Sequence, residues 1–176
     1  MTANRVLRGW AVLAAGLVLL IAGCDSNTVG EATPSKEPVK LFVPCEGISD
    51  DLVRQAGGDP ATEESGIAGV HQTGMEICSW KGPWYFITVY SWDKTFDALR
   101  KDERYFEFAD TEAAGRDALQ FREVSDSYRE RCDVALRVPQ GSISVNIGMM
   151  SSKPNPEDPC VTAKRVATVL EPQLPK

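Results

Sequence analysis

The sequence contains a single histidine, His71, and neither a Cys-x-x-Cys pair nor a Gly-x-Ser-x-Gly segment. A zinc site or a thioredoxin-like redox centre would need more histidines or more closely spaced thiols. A serine hydrolase of the common kind would need a nucleophile beside a histidine and an orienting acid. We therefore expect no metal, no cofactor and no catalytic residues, and we interpret His71 as a solvated loop side chain.

Basic residues are also scarce, since 19 Lys and Arg stand against 25 Asp and Glu, for a formal net charge of −6. Such a chain lacks the attraction to phosphate backbones on which nucleic-acid binding depends, and it has no basic stripe. We therefore exclude nucleic acid as a partner. The acidic pairs Asp50–Asp51 and Glu63–Glu64 are interpreted as helix-start and loop charges, and no EF-hand spacing supports calcium binding.

No apolar run is long enough to cross a membrane, because the longest, Gly9–Ile21, falls short of the roughly 20 residues that a spanning helix needs. With Arg5 and Arg8 before it, this run instead matches a secretory signal. The small residues before Cys24 complete a pattern similar to a bacterial lipobox. We therefore predict a signal peptide over residues 1–23, lipidation of Cys24 and anchorage to the outer face of the cell membrane. The alternative is an ordinary secretory signal with an incidental cysteine.

Residues 24–40 are poor in large apolar side chains and mix Gly, Pro, Ser and Thr with charges of both signs. This composition is typical of a flexible tether. The rest of the chain, residues 41–176, has the length of one domain and shows no internal repeat. We therefore expect one extracytoplasmic domain on a lipidated tether.

Without Cys24 the cysteine count is even, which favours disulfides in an exported chain. Cys132 shares a strand face with apolar residues, and Cys78 lies on another predicted strand. Cys45 and Cys160 lie near the two ends of the domain. We therefore favour the pairs Cys45–Cys160 and Cys78–Cys132, with the two other pairings left open.

The residue pattern predicts an α+β fold, with a single antiparallel sheet and with N- and C-terminal helices packed on one face. Asp158 and Pro159 are a helix N-cap and first residue, and Ser49 is a second N-cap. Residues 59–74 are predicted to be a loop. The predicted strands are 75–80, 84–92, 115–125 and the hairpin 132–149, and the predicted helices are 49–56, 93–108 and 158–171.

An aromatic cluster is the best candidate for a ligand-binding site. Its members fall within a short stretch and include Trp80, Trp84, Tyr85, Tyr90 and Trp92, with Phe86 among them. If one face of the sheet is free of helices, these rings would line a groove for a lipid, a glycan or a partner protein. The alternative is that they fill the core.

Several segments resemble a known family: PCEGIS, CSW, RCDVALRVPQGSISVNIG and DPCVTAKRVATVLEPQLP, together with the lipobox. The family is that of small actinobacterial cell-envelope lipoproteins of unknown function, which includes mycobacterial LprB and LprC. The resemblance covers nearly the whole mature chain and implies a cell-envelope lipoprotein, but it supplies no activity.

Two classes of function therefore stand. The first is a non-enzymatic binding or scaffold module for an envelope lipid, glycan or protein. The second is an envelope hydrolase with an unrecognised active site. The hydrolase predicts that His71 or a carboxylate lies in a pocket beside a nucleophile and has a strongly perturbed pKa.

Overall fold

The computed structural model describes residues 40–154 and 156–176. The predicted signal peptide, the predicted lipidation site Cys24 and the predicted tether up to residue 39 lie outside these residues. Within them, the chain forms one seven-stranded antiparallel sheet with helices packed against it, which confirms the predicted α+β class.

The elements in chain order are α1 (Pro44–Gly47), α2 (Asp50–Gln55), β1 (Asp59–Ser65), β2 (Met75–Lys81), β3 (Tyr85–Trp92), α3 (Phe96–Arg100), β4 (Tyr105–Ala113), β5 (Arg116–Glu123), β6 (Arg131–Val138), β7 (Gly141–Met149) and α4 (Pro159–Leu170), followed by a 3₁₀ turn, Glu171–Gln173. The strand order is β1-β2-β3-β7-β6-β5-β4. Two meanders therefore meet at the centre, where Val89 of β3 lies opposite Val145 of β7.

One face of the sheet is covered by α1, α2 and α4, as predicted. The residues of β3, β7 and β6 that point to this face are apolar and buried. Helix α4 packs its predicted stripe on them: Ala163, Val166, Ala167 and Leu170. The carboxylate of Asp158 accepts a hydrogen bond from the backbone N–H of Cys160 at 2.7 Å, which confirms the predicted N-cap.

The predicted disulfide pairing is wrong. The bridges are Cys45–Cys78 and Cys132–Cys160, with Cα–Cα distances of 5.3 and 5.0 Å. Cys78 and Cys132 do share a face, but β3 and β7 lie between their strands. Three strand spacings separate their Cα atoms by about 14 Å, far beyond the reach of a disulfide. Each strand cysteine is instead bonded to a cysteine in a helix directly above it.

The two ends of the domain are joined by a side-chain amide instead of a disulfide. Gln173 accepts a hydrogen bond from the backbone N–H of Ser49 at 2.7 Å and donates one to the Ser49 hydroxyl at 2.9 Å. Ser49 is the N-cap residue of α2, as predicted, but its hydroxyl makes no capping bond to the helix. Its hydroxyl serves this long-range contact.

The opposite face carries α3 over one half. Here α3, β3 and β5 contribute to a second, smaller apolar cluster, made of Trp92, Phe96, Leu99, Leu119, Phe121 and Ala135. The indole N–H of Trp92 donates to Ser142 at 2.8 Å. In the described part of the chain, no helix covers the other half of this face, and that half carries the groove described below.

The predicted helix over 93–108 is too long, because only Phe96–Arg100 is helical and β4 begins at Tyr105. A bulge explains the error. Glu107 has a φ of 51°, and the register shifts between Phe106 and Ala109. Tyr105 and Phe108, three residues apart, therefore point to the same face of a strand, which imitates the spacing of a helix.

The predicted loop over 59–74 is also wrong in part, since Asp59–Ser65 is the edge strand β1. Most of its side chains are exposed, and its pairing with β2 is irregular between Asp59 and Glu64. An exposed edge strand lacks the alternation of apolar residues by which a strand is recognised.

Candidate functional site: a groove across the open half of the sheet

A depression of about 480 Å³ lies on the half of the sheet that α3 leaves open. Its floor and walls come from five strands and from the loop between β1 and β2. The lining residues are Gly66, Ile67, Ala68, Ile77, Ser79, Phe86, Thr88, Tyr90, Glu123, Arg131, Asn146 and Gly148. We call this depression the central depression.

The loop between β1 and β2 forms an apolar rim on one side. Ile67 and Val70 exchange two backbone hydrogen bonds of 2.9 and 3.0 Å, and both side chains are exposed. Gly66 permits this tight turn, because it has a φ of 75° and a Cβ there would lie 2.3 Å from the carbonyl oxygen of Val70. The rim thus depends on a residue without a side chain.

A buried carboxylate lies beside the floor residue Asn146. Asp133 of β6 is 3% exposed, and it accepts hydrogen bonds of 2.8 Å from the hydroxyl of Ser144 and from the side-chain nitrogen of Asn146. Burial raises the pKa of Asp133 to about 7, although these two hydrogen bonds act in the opposite direction. The side-chain nitrogen of Asn146 donates its hydrogen bond to Asp133, and the side-chain oxygen of Asn146 faces Gly148 and the depression.

Tyr90 and an ion pair supply further polar groups. Burial, and then the nearby carboxylates of Asp133 and Glu123, raise the pKa of Tyr90 to about 12. The Tyr90 phenol therefore stays protonated at neutral pH. Arg131 and Glu123 form a partly exposed ion pair of 3.3 Å at the edge of the depression. The central depression thus offers donors and acceptors but little net charge.

Two further depressions of about 360 Å³ each adjoin the central one. One shares Phe86 with it and is also lined by Lys81, Met149, Met150, Ser151 and Ser152. The other shares Glu123 with it and is also lined by Glu103, Arg104, Tyr105, Val124 and Ser125. We call the three neighbouring depressions together the groove, and the two residues that they share, Phe86 and Glu123, its partitions; the lining of the groove includes residues of the strands from β2 to β4.

The structure does not bring the five candidate aromatic residues together. Trp80 and Tyr85 are core residues beneath the helices, and Trp84 packs against that core, with its ring in edge contact with Tyr85. Trp92 lies in the smaller cluster by α3. Tyr90 alone of the five lines the groove. Neighbouring rings on β3 point to opposite faces, so nearness in sequence does not make one site.

The other groove residues were not predicted, with the exception of Phe86. A signal for the buried polar group was present, because Asp133, Ser144 and Asn146 alternate with apolar residues in the predicted hairpin. Such alternation predicts a solvent-facing side. It does not reveal that the three side chains are buried together on that side, which depends on the pairing of β6 with β7.

The remaining candidates lie outside the groove. His71 is exposed in the loop after the rim, with its Nδ1 atom 3.9 Å from a carboxylate oxygen of Glu76. Asp50 and Asp51 pair with Arg54 at 3.4 and 2.9 Å. A carboxylate oxygen of Glu63 lies within 4.8 Å of the sulfurs of Cys45 and Cys78, but the disulfide leaves no thiolate there for a metal ion.

The fold and the groove together define a small α+β domain with one apolar, helix-covered face and an opposite face that is covered by α3 over one half and carries the polar groove on the other. The chain belongs to the family described as protein of unknown function (DUF3558), whose sequence profile matches residues 19–173. No curated protein and no solved structure matches the chain. Among the described residues, none of the helices has both the length and the apolar character needed to span a membrane.

Proposed function

We propose that the protein is an extracytoplasmic lipoprotein, anchored to the cell membrane through Cys24, whose domain binds a component of the cell envelope without chemically changing it. The lipobox-like sequence before Cys24 supports the anchor. The two disulfides support an oxidising compartment outside the cytosol. The resemblance to actinobacterial lipoproteins such as LprB and LprC supports the same location, and we propose membership of that group.

The groove carries the proposal of a binding function. Along one depression, the uncovered half of the sheet face brings together an exposed ring, an amide, a phenol and an ion pair. Phe86 and the rim residue Ile67, which are 39% and 54% exposed, are large apolar side chains at its boundary. Together these groups match a ligand with both apolar and hydrogen-bonding surfaces.

The alternative, an envelope hydrolase, draws on the raised pKa of Asp133, a property shared by catalytic acids. Two observations weigh against it. Both carboxylate oxygens of Asp133 already accept hydrogen bonds, one from Ser144 and one from Asn146. Ser144, the adjacent hydroxyl, is fully buried and out of reach of a substrate. The groove thus places no nucleophile beside the perturbed carboxyl, and we favour binding.

The anchor is tested by replacing Cys24. The full chain and its Cys24→Ser variant are expressed in an actinobacterial host that is fed a fatty acid with a clickable tag. We expect the tag on the unaltered protein and its absence from Cys24→Ser, together with release of the variant from the membrane fraction. Equal labelling of the two would overturn the anchor.

Binding is tested with the full chain in detergent, titrated with soluble wall glycans, phospholipid vesicles and envelope-protein peptides. We expect one of these probes to bind and Phe86→Ala to weaken that binding. Tyr128→Ala is the matched control, because this ring is 85% exposed and lies outside all three depressions. If no probe binds, or if both variants bind like the unaltered chain, the proposed function is wrong. Breakdown of a probe would favour the hydrolase.

A further inference from the structure

The groove is elongated, as a binding site for a chain-like ligand would be. Its three depressions are in series, and consecutive ones share a residue, first Phe86 and then Glu123. The lining comes from six adjacent strands, β2, β3, β7, β6, β5 and β4. Five strand spacings correspond to about 24 Å across the sheet, which is several times the width of one monosaccharide or amino acid. A small compact molecule would fill only one depression.

The direction of the groove weighs against an extended peptide. Peptides that bind to sheets do so by adding a strand at a free edge, where main-chain N–H and C=O groups are unpaired. The groove instead crosses the face of β3, β7, β6 and β5, and each of these strands is paired on both sides. A peptide lying there would find few main-chain partners.

The polarity of the groove weighs against an acyl chain. A hydrocarbon ligand would cover Asn146, Tyr90 and the pair Arg131–Glu123 and would offer them no hydrogen bonds. Burying polar groups without partners is unfavourable. The hydroxyl of Thr88 adds to the same cost.

The charges weigh against a polyanion. Arg131 is paired with Glu123. Arg104 is held by the carboxylate of Asp102, with a hydrogen bond of 2.8 Å from its Nε atom. Lys81 is at the far end, in the depression beyond Phe86. The groove therefore lacks a cluster of unpaired cations that would attract phosphate or sulfate groups along a chain.

We infer that the groove binds an uncharged linear glycan, laid across the strands so that successive sugar units occupy the three depressions. Sugar hydroxyls donate and accept hydrogen bonds, as do the side chains along the floor. The apolar faces of sugar rings pack on Phe86 and on the rim residue Ile67. This inference rests on the proposed binding function and specifies its ligand.

Asn146 supplies a hydrogen-bond acceptor on the floor of the groove. Asp133 holds the nitrogen of the Asn146 amide, so the oxygen is presented to the groove as an acceptor.

The test is a length series. The full chain in detergent is titrated calorimetrically with oligomers of glucose, mannose, galactose and N-acetylglucosamine, from disaccharides to hexasaccharides. We expect at least one series to bind, with the hexasaccharide about tenfold or more tighter than the disaccharide, because each occupied depression adds contacts. Phe86→Ala and Glu123→Ala remove the two partitions and should flatten this dependence on length, whereas Tyr128→Ala should leave it unchanged.

The outcomes separate this inference from the proposed function. If none of the sugars binds but vesicles or peptides bind in a way that Phe86→Ala weakens, the glycan inference is wrong and the binding function stands. If the sugars bind with an affinity that does not depend on their length, the inference that the ligand occupies all three depressions is wrong. If no probe of any class binds, both proposals fail.

Discussion

The same strands build two different surfaces. On β3, Ile87 faces the helices and is 1% exposed, whereas its neighbour Phe86 faces the open side and is 39% exposed. On β6, Val134 lies in the main core and the adjacent Asp133 lies in a hydrogen-bonded polar cluster. Because successive side chains of a strand point to opposite faces, adjacent residues can belong to the apolar core and to the open face.

The helix-covered face is also the face to which the two disulfides attach the helices. Both disulfides join a strand of this face to a helix above it. Arg122, buried on the same side, binds the carboxylate of Asp158 at 2.9 and 3.0 Å at the start of α4. The open face has α3 and its small apolar cluster instead. We infer that stability resides mainly on one face, which leaves the other free to carry polar groups.

We expect the largest loss of stability when a disulfide of the helix-covered face is removed. Cys132→Ala with Cys160→Ala should lower the free energy of unfolding by about 4 kcal/mol, since the bridge closes a loop in the unfolded chain. The measurement is urea unfolding followed by tryptophan fluorescence. Cys45→Ala with Cys78→Ala is the matched pair, and its loss should be similar because the sequence separations are 28 and 33. A bridge whose removal costs less than about 1 kcal/mol would break the comparison between the faces.

The bridges also show what sequence reasoning could and could not give. The hairpin 132–149, the α4 cap at Asp158 and the apolar stripe of α4 follow from local patterns, and all three were predicted. The pairing of the cysteines depends on strand order. Nothing local indicates that β7 returns to pair with β3 and so separates Cys78 from Cys132. Contacts between distant segments were therefore the part of the fold that the sequence left open.

A second prediction compares the two faces within one strand. Ile87→Ala should lower the free energy of unfolding by about 3 kcal/mol, because it leaves a cavity in the main core. Phe86→Ala, one residue earlier, should lower it by less than about 1 kcal/mol, because the ring is partly in solvent. Urea unfolding of the two variants under one set of conditions measures both. Equal losses would mean that the open face contributes to stability as much as the covered face does.

The groove shows a second limit of sequence reasoning. The sequence left two possibilities for the aromatic residues, a groove on an uncovered face or filling of the core, and of the five candidates only Tyr90 lines the groove. The alternation along β3 was visible, but which side the helices cover was not, so Trp80 and Trp92 could not be assigned to opposite faces. The burial of Asp133 could not be predicted either, because its alternation with apolar residues indicates a solvent-facing side, and its burial depends on the pairing of β6 with β7.

A third prediction concerns the buried carboxyl of the open face. The pKa of Asp133 rises from 3.8 to about 7 on folding, so the folded state binds the proton more tightly than the unfolded state. Its contribution to stability is fully present below pH 3.8 and is lost as the pH rises towards 7. Between about pH 5 and pH 7 the free energy of unfolding should fall by roughly 2 kcal/mol from this group.

Asp133→Asn removes this titration and is the control. Urea unfolding of the two proteins across that range should show the fall only in the unaltered chain. The lowered pKa values of Glu107 and Glu171 do not interfere, because their contributions are lost only on acidification below their ordinary range. Identical slopes for the two proteins would mean that Asp133 stays ionised in the fold, and the open face would then hold a buried charge.

The smallest predicted effect concerns Asp158 on the covered face. It separates two interactions of this carboxylate, the N-cap of α4 and the ion pair with Arg122. Asp158→Asn keeps an oxygen for the N-cap of α4 but removes the charge that binds Arg122, so we expect a loss of about 1 kcal/mol, limited because the Asp158 side chain is half exposed. Asp158→Ala removes the cap as well and should cost about twice as much. Urea unfolding measures both, and high salt should narrow the gap between Asp158→Asn and the unaltered chain. If Asp158→Asn costs as much as Asp158→Ala, the ion pair with Arg122 and not the cap holds the start of α4, and charge would then stabilise the covered face alongside its apolar packing.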